Sequence, residues 1–271
     1  MAVRGTLRHS QPGLYLFQDE RFMDYILDDD GLEQLRRFSA PDSLLAFDYD
    51  GTLAPIVSDP TQARMPAHTR ALLERLARKF PLAVVSGRGR SDVARLLDGV
   101  KVVEVVGNHG FEGGDALSDA YLRTVAGWRQ TLEQELATLP GVSVEDKRYS
   151  LAVHFRHAPD PESARRRIAA VAETLAGARL IGGKAVVNVV PEDAPHKGDA
   201  LLALQKRLGS PRVLYVGDDD TDEDVFRLKR SADFLCIRVG QSDRSAAEYF
   251  IADQAEIDRL IQVLLDFSMA A

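Results

Sequence analysis

The sequence predicts an α/β protein, a doubly wound and mostly parallel sheet with an α+β module inserted into it. Three observations carry this. Short apolar runs rich in β-branched residues alternate with amphipathic helical segments in both halves of the chain. Several of those runs end in unusual polar clusters, where ligands bind in sheets of this class. Between roughly residues 112 and 190 the alternation gives way to a long helix, consecutive strands, a second helix and another strand pair.

Residues 1–40 show weak periodicity and several charges and are expected to form a partly ordered N-terminal extension, with "DGLEQLRRFSA" as a short helix. "SLLAFDYD" is the first core strand. "HTRALLERLARKF" sets Leu72, Leu73, Leu76 and Phe80 on one helical face. "PLAVVSG" is a continuous apolar run, which suits a strand buried on both faces. "DVARLLDGV" reads as a helix and "KVVEVVG" as a strand. Later, "KGDALLALQKRLG" is a helix closed by Gly209, and "RVLYVGD" and "DFLCIRVG" are strands. Residues 41–111 and 191–271 therefore form the expected core.

Within 112–190, Val125, Trp128, Leu132, Leu136 and Leu139 recur every three or four residues and predict one long helix. "VSVEDK" and "RYSLAVHFRH" alternate as strands do, and "PESARRRIAAVAETLAG" is a second helix. "ARLIGGKAVVNVV" reads as a hairpin turning at Gly182–Gly183.

Composition narrows the function. The chain has 271 residues, with 34 Lys plus Arg against 41 Asp plus Glu and a net charge of -7. That balance argues against nucleic-acid and anionic-membrane partners, which need a basic surface. Cys236 is the single cysteine, so an internal disulfide or Cys-rich zinc site is excluded. No apolar run approaches a membrane span or a secretory signal core, and the expected location is cytoplasmic. Ordinary structural roles are expected of several residues: an exposed His68, a core Trp128, a buried Cys236, and Arg165–Arg167 on a solvated helix face.

The strand ends hold the chemistry. The first ends in Asp48-Tyr49-Asp50-Gly51-Thr52, the second in Ser86-Gly87-Arg88, and a late one in Gly217-Asp218-Asp219. Lys197 opens a helix, where a cation opposes the helix dipole unless an anion lies nearby. Clustered carboxylates at one sheet edge call for a hard cation, Mg²⁺. One carboxylate can attack phosphorus, and a second, two residues on, can serve as acid and base. Ser86 and Lys197 can hold phosphoryl oxygens.

The order DYDGT, SGR, HKG, GDD resembles the four motifs of the haloacid-dehalogenase-like phosphatase superfamily. More narrowly, "FDYDGTLAPI", "VVSGR", "GNHGFE", "DKRYSLAVHFR" and "VGDDDTDEDVF" resemble the trehalose-6-phosphate phosphatases. The resemblance runs from about residue 44 to the end and implies a Rossmann-like core with an inserted specificity cap at 112–190. It implies Asp48 as nucleophile, Asp50 as acid/base, and Mg²⁺ between Asp48, the Asp50 carbonyl and Asp218, with Asp219 and Asp222 acting behind them. Phosphate would be held by Gly51, Thr52, Ser86, Gly87 and Lys197. Arg88, Asn108, His109, Glu112, Glu145, Lys147, Ser150, His154, Arg156, Lys184 and Asn188 would contact the sugar. The implied reaction is hydrolysis of trehalose 6-phosphate to trehalose and phosphate, with a trehalose-6-phosphate synthase as the pathway partner.

The chain departs from that pattern at one place. "GKAVVNVVP" carries Asn188 and Val190 where the family pattern has Glu and Arg, so another sugar or glycosyl phosphate is the alternative substrate. Two other classes fit worse. A receiver domain places its acidic pair before the acceptor Asp, whereas here the pair follows it. An EF-hand loop aligned at Asp218 meets Glu223 at the glycine position and Lys229 at the bidentate glutamate position.

Overall fold

The structure is a computed structural model that describes residues 23–57, 62–113, 119–183, 185–193, 195–228 and 233–269. The central sheet has seven strands. They are β1 (Asp24–Tyr25), β2 (Leu44–Phe47), β3 (Leu82–Val85), β4 (Glu104–Val106), β9 (Val213–Gly217), β10 (Phe234–Val239) and β11 (Tyr249–Ile251), in the order β1-β11-β10-β9-β2-β3-β4. Every pairing among them is parallel. From β2 the chain steps outward to β3 and β4, whereas β9 lies on the other side of β2. That reversal opens a crevice at the carboxyl ends of β2 and β9, the place such sheets use for ligands.

The apolar runs alternate between two cores. Leu45, Phe47, Leu82, Val84, Leu214 and Val216 point to one face, covered by α1 (Asp29–Phe38), α2 (Ala67–Leu76) and α8 (Ile257–Met269). Leu44, Ala46, Ala83, Val85, Val213 and Tyr215 point to the other, against α6 (Lys197–Leu208) and α7 (Glu223–Phe226). Burial on both faces explains why these strands read as continuous apolar runs. A further helix, α3 (Arg90–Leu96), joins β3 to β4. Cys236 and Trp128 are buried and His68 is exposed, as expected.

The second sheet is antiparallel. It consists of β5 (Ser143–Asp146), β6 (Leu151–His154), β7 (Ala178–Gly183) and β8 (Val186–Pro191), in the order β5-β6-β8-β7. Leu151, Val153, Val187 and Val189 turn one face toward α4 (Asp119–Glu135) and α5 (Pro161–Ala172), forming a separate apolar core with Trp128, Leu132 and Ile168. The opposite face carries Ala152, His154 and Asn188.

Two local expectations change. Part of the expected N-terminal extension belongs to the main fold: β1 adds an edge strand, and Ile26, Leu35 and Phe38 are buried in the larger core. The capping signals of α1 were legible, since Asp28 accepts from Gly31 N at 2.7 Å, and the first turn is acidic and the last basic. The β7–β8 hairpin does not turn at Gly182–Gly183. Both glycines stay in strand register with Val187 and Val186, and the chain reverses beyond them, where Ala185 takes φ +61°.

Candidate active site

Asp48 follows β2 directly, and its amide donates to Val216 O at 2.8 Å, so the last rung of the β2–β9 ladder aims it into the crevice. It is 4% exposed. Gly51 follows with φ +86°, and a β-carbon there would come within 2.1–2.7 Å of the Asp218 carboxylate. Only glycine lets the two acidic loops approach so closely. Thr52 Oγ1 donates to Asp218 Oδ1 at 3.4 Å from the same turn.

Lys197 opens α6 and is 1% exposed. Its Nζ donates to Asp48 Oδ1 at 2.9 Å and to Asp222 Oδ1 at 2.7 Å. A cation in a first turn costs about 0.3–1 kcal/mol against the helix dipole. Breaking a buried ion pair by removing one partner costs about 3–5 kcal/mol, so the pairing decides where the lysine sits. Burial alone would lower the ammonium's pKa, but Asp222 and Asp48 outweigh it and hold the group well above its usual value.

Asp222 is fully used as an anchor. Besides Lys197, its Oδ1 accepts from Tyr215 OH at 2.6 Å, and its Oδ2 accepts from the amides of Asp218 (2.8 Å) and Asp219 (3.0 Å). Asp219 Oδ1 in turn accepts from Thr221 N and Oγ1, at 2.8 and 2.7 Å. These bonds coil the acidic run so that Asp218 faces Asp48. Glu223 takes no part in the site and fastens the loop to β10 and the segment beyond it, through Arg238 (3.4 Å), Ser245 (2.7 Å) and Ala246 N (2.8 Å).

Ligand atoms of Asp48, Asp218 and Asp222 lie within 4.8 Å of one another. The carboxyl of Asp218 is pushed up to about 8, first by burial and then by the charges of Asp222 and Asp219. Burial, with Asp222 and Asp218, also pushes Asp48 well above its usual value although Lys197 pulls it down. The acidic cluster is thus short of positive charge, and its donors are hard oxygens. Both properties fit a small divalent cation such as Mg²⁺. Asp222 already accepts four hydrogen bonds, which leaves Asp48 and Asp218 as the available carboxylates.

Ser86 directly follows β3, and its Oγ accepts from Arg88 N at 3.2 Å. Arg88 itself clasps Asp50 through two bonds of 2.6 Å. These groups floor a cleft of about 770 Å³ whose far wall comes from the second sheet and α5. Of the expected sugar contacts, Arg88, His109, Glu145, Lys147, His154, Arg156 and Asn188 line it. Glu145 Oε2 pairs with His154 Nε2 at 2.7 Å, and that bond is the main cause lowering the Glu145 carboxyl. Lys147 Nζ donates to Gly87 O at 3.2 Å, joining the inserted module to the Ser86 loop.

Three expected contacts lie outside the lining. Asn108 and Ser150 are buried and bonded to each other, and Asn108 Nδ2 also donates to Lys147 O at 3.1 Å. Glu112 accepts from Arg90 N at 2.5 Å and borders a second hollow. Lys184 falls outside the described residues. Glu162 and Arg165 border the cleft, and Arg165 is exposed there, in keeping with the solvated-face reading. The start of α5 points there, which helical periodicity cannot reveal. Tyr215 was also missed, because an apolar strand position hides what its hydroxyl reaches.

A family model described as trehalose-phosphatase matches residues 46–255. The chain belongs to the trehalose-phosphatase family. Among relatives of this family member, trehalose-phosphate phosphatase of Mycobacterium avium (strain 104) is 36% identical over 231 residues, covering 76% of this chain and 58% of that protein. The Zea mays trehalose 6-phosphate phosphatase is 31% identical over 252 residues, covering 82% and 69%. The chain therefore spans 58% of the length of the first of these. Among solved structures, an Aspergillus fumigatus trehalose-6-phosphate phosphatase superposes with TM-score 0.61 at 27% identity, covering 90% of this chain and 99% of that one. The C-terminal domain of the Candida albicans enzyme gives TM-score 0.74 at 21% identity, covering 91% and 99%, and shares the fold. The sheet and its antiparallel companion thus match the haloacid-dehalogenase-like arrangement of this family.

Proposed function

We propose that the protein is a Mg²⁺-dependent phosphoric monoester hydrolase that converts trehalose 6-phosphate to trehalose and phosphate. The observation that carries the proposal is the Asp48–Lys197 contact of 2.9 Å beside Asp218, at the floor of a cleft walled by the inserted module. In this reading residues 112–190 act as a cap that selects the sugar over the core formed by 41–111 and 191–271.

An Asp48 oxygen attacks phosphorus and the bond from phosphorus to the sugar oxygen breaks, leaving an aspartyl-phosphate. Asp50 gives its proton to the departing oxygen, then takes one from the water that attacks phosphorus and releases phosphate. Ser86 and Lys197 hold the non-bridging oxygens as charge shifts among them. A divalent cation held by Asp48 and Asp218, with the Asp50 carbonyl, would neutralise phosphoryl charge. The cap excludes water from the acyl phosphate until Asp50 is free to act as base.

The alternative reading keeps this chemistry on another sugar phosphate, because an uncharged Asn188 forms part of the cleft wall. A panel of sugar phosphates, assayed with Mg²⁺ and with EDTA, tests both. The highest kcat/KM for trehalose 6-phosphate, lost in EDTA, is expected. Another preferred sugar selects the alternative, and no phosphate release from any of them overturns both. Asp48→Asn is expected to abolish turnover with the fold intact.

A further inference from the structure

Asn108 and Ser150 are completely buried, and neither lines the cleft. They come from different parts of the molecule. Asn108 opens the turn Asn108–Gly110 of the core, and Ser150 directly precedes β6 of the inserted sheet. Ser150 Oγ donates to Asn108 Oδ1, and Asn108 Nδ2 donates to Lys147 O at 3.1 Å. All three side-chain polar atoms are therefore used up between core and inserted module, where an unmade bond would be costly.

The two sides of this joint reach opposite walls of the cleft. On the core side, Asn108 N donates to Arg88 O at 2.7 Å and His109 N to Ser86 O at 3.0 Å. The turn is thus laced to the Ser86-Gly87-Arg88 loop. On the other side, Lys147 N donates to Ser150 O at 3.0 Å and closes the turn between β5 and β6. Glu145 on β5 and His154 on β6 pair across that hairpin at 2.7 Å, and both line the cleft with Lys147. Tyr149 adds a stack on Phe111, with ring centroids 5.7 Å apart and planes 18° apart.

The residue type at 108 suits this place. Its φ is +53°, which asparagine tolerates, and its amide offers a donor and an acceptor at once. Aspartate would keep the acceptor for Ser150 and lose the donor for Lys147 O. Glycine would keep the backbone shape and lose both bonds.

We propose that Asn108 and Ser150 are positioning residues, which set the spacing between the loop that holds phosphate and the wall of Glu145, Lys147 and His154 that faces the sugar. The proposal rests on the phosphatase reading above. A sugar phosphate must meet both walls at once, and a misplacement of roughly 1 Å can cost about 100-fold in rate. A joint buried beside both walls holds that spacing without touching the substrate.

The test uses the Mg²⁺-loaded full chain. It compares the sugar phosphate preferred in the panel above, expected to be trehalose 6-phosphate, with p-nitrophenyl phosphate, which has no sugar. Ser150→Ala removes the hydroxyl donor with little change of volume. Asn108→Gly tolerates the positive φ, keeps the backbone bond to Arg88 O and removes both side-chain bonds. Each is expected to lower kcat/KM for the sugar phosphate about tenfold more than for p-nitrophenyl phosphate, mainly through KM. Ser150→Thr keeps the hydroxyl and should recover part of the loss. The double variant should fall no further than Asn108→Gly alone, because both substitutions break the same bond. Equal losses on the two esters would assign the pair to folding or to the phosphate loop and overturn the proposal. Additive losses in the double variant, or wild-type kinetics in both single variants, overturn it as well. Should Asn108→Gly fail to fold, the Ala and Thr variants of Ser150 still decide. A wild-type protein that hydrolyses no sugar phosphate overturns the phosphatase reading instead.

Discussion

The Arg88 guanidinium forks onto the Asp50 carboxylate, with Nε donating to Oδ2 and an Nη to Oδ1, each at 2.6 Å. The two residues leave the ends of adjacent strands, β3 and β2, so the sheet register sets their meeting. A bidentate fork fixes orientation as well as charge. The side chains are 18% and 36% exposed, so the pair stands open in the cleft, where an incoming anion can compete for the arginine.

Arg88→Met is expected to lower kcat by about tenfold or more, since Asp50 loses the group that aims it. Arg88→Lys restores charge without the fork and recovers only part of the loss. Steady-state kinetics on both variants check this. A wild-type kcat in Arg88→Met would show that Asp50 is positioned by something else.

Lys197→Met leaves two buried carboxylates without their ammonium. The expected cost is about 3–5 kcal/mol of folding stability together with loss of turnover. Glu33→Gln, which removes an exposed ion pair with Arg36 at 3.7 Å, should change stability by no more than about 1 kcal/mol. Urea unfolding of the two variants decides whether the difference between them is real.

The Asp218 carboxyl is raised to about 8 in the folded, metal-free chain, against 3.8 unfolded. Between those values the folded state binds more protons, so Asp218 stabilises at low pH and that contribution is lost as pH rises toward 8. His109, lowered from 6.5 to about 3, acts in the opposite sense below pH 6.5. From about pH 6.5 to 8 the Asp218 contribution is free of it, and the Tm in EDTA should fall across that window. Adding Mg²⁺ should raise Tm more at pH 8 than at pH 6.5, and Asp218→Asn should make the slope shallower, with Asp48, which burial also pushes well above its usual value, supplying what remains. A Tm in EDTA that rises across the window contradicts the assignment.

Asn188 is 5% exposed, and its Nδ2 lies 3.5 Å from Ile181 O, at the limit of a hydrogen bond. Asn188→Glu adds a charged acceptor to the cleft wall and should shift kcat/KM among sugar phosphates, with little effect on kcat for p-nitrophenyl phosphate. An unchanged specificity profile would argue that the position does not touch the sugar.

Much of this molecule is legible in its sequence. Strands buried on both faces had to be continuous apolar runs, so β2, β3, β9 and β10 were visible in sequence. The helices beside them announced themselves through caps and periodic leucines. β11 was not visible, because "YFI" is too short a run to stand out. The same limit hid β1, whose two residues are strand only because β11 lies beside them.

The sequence by itself determined which chemical groups were present and the ends at which they lay: Asp48 and Asp50 after one strand, Ser86 after another, Asp218 after a third, and Lys197 at a helix start. Local rules suffice for that, since period and capping act over a few residues. Only the tertiary structure decided who touches whom. It spent Asp222 on Tyr215, Lys197 and two amides, paired Arg88 with Asp50, and withdrew Asn108 and Ser150 into a joint between core and cap. Other contacts of the site join residues much farther apart, as Lys197 and Asp48 do across 149 positions. Register and packing between elements fix such distances, and no stretch of sequence contains them.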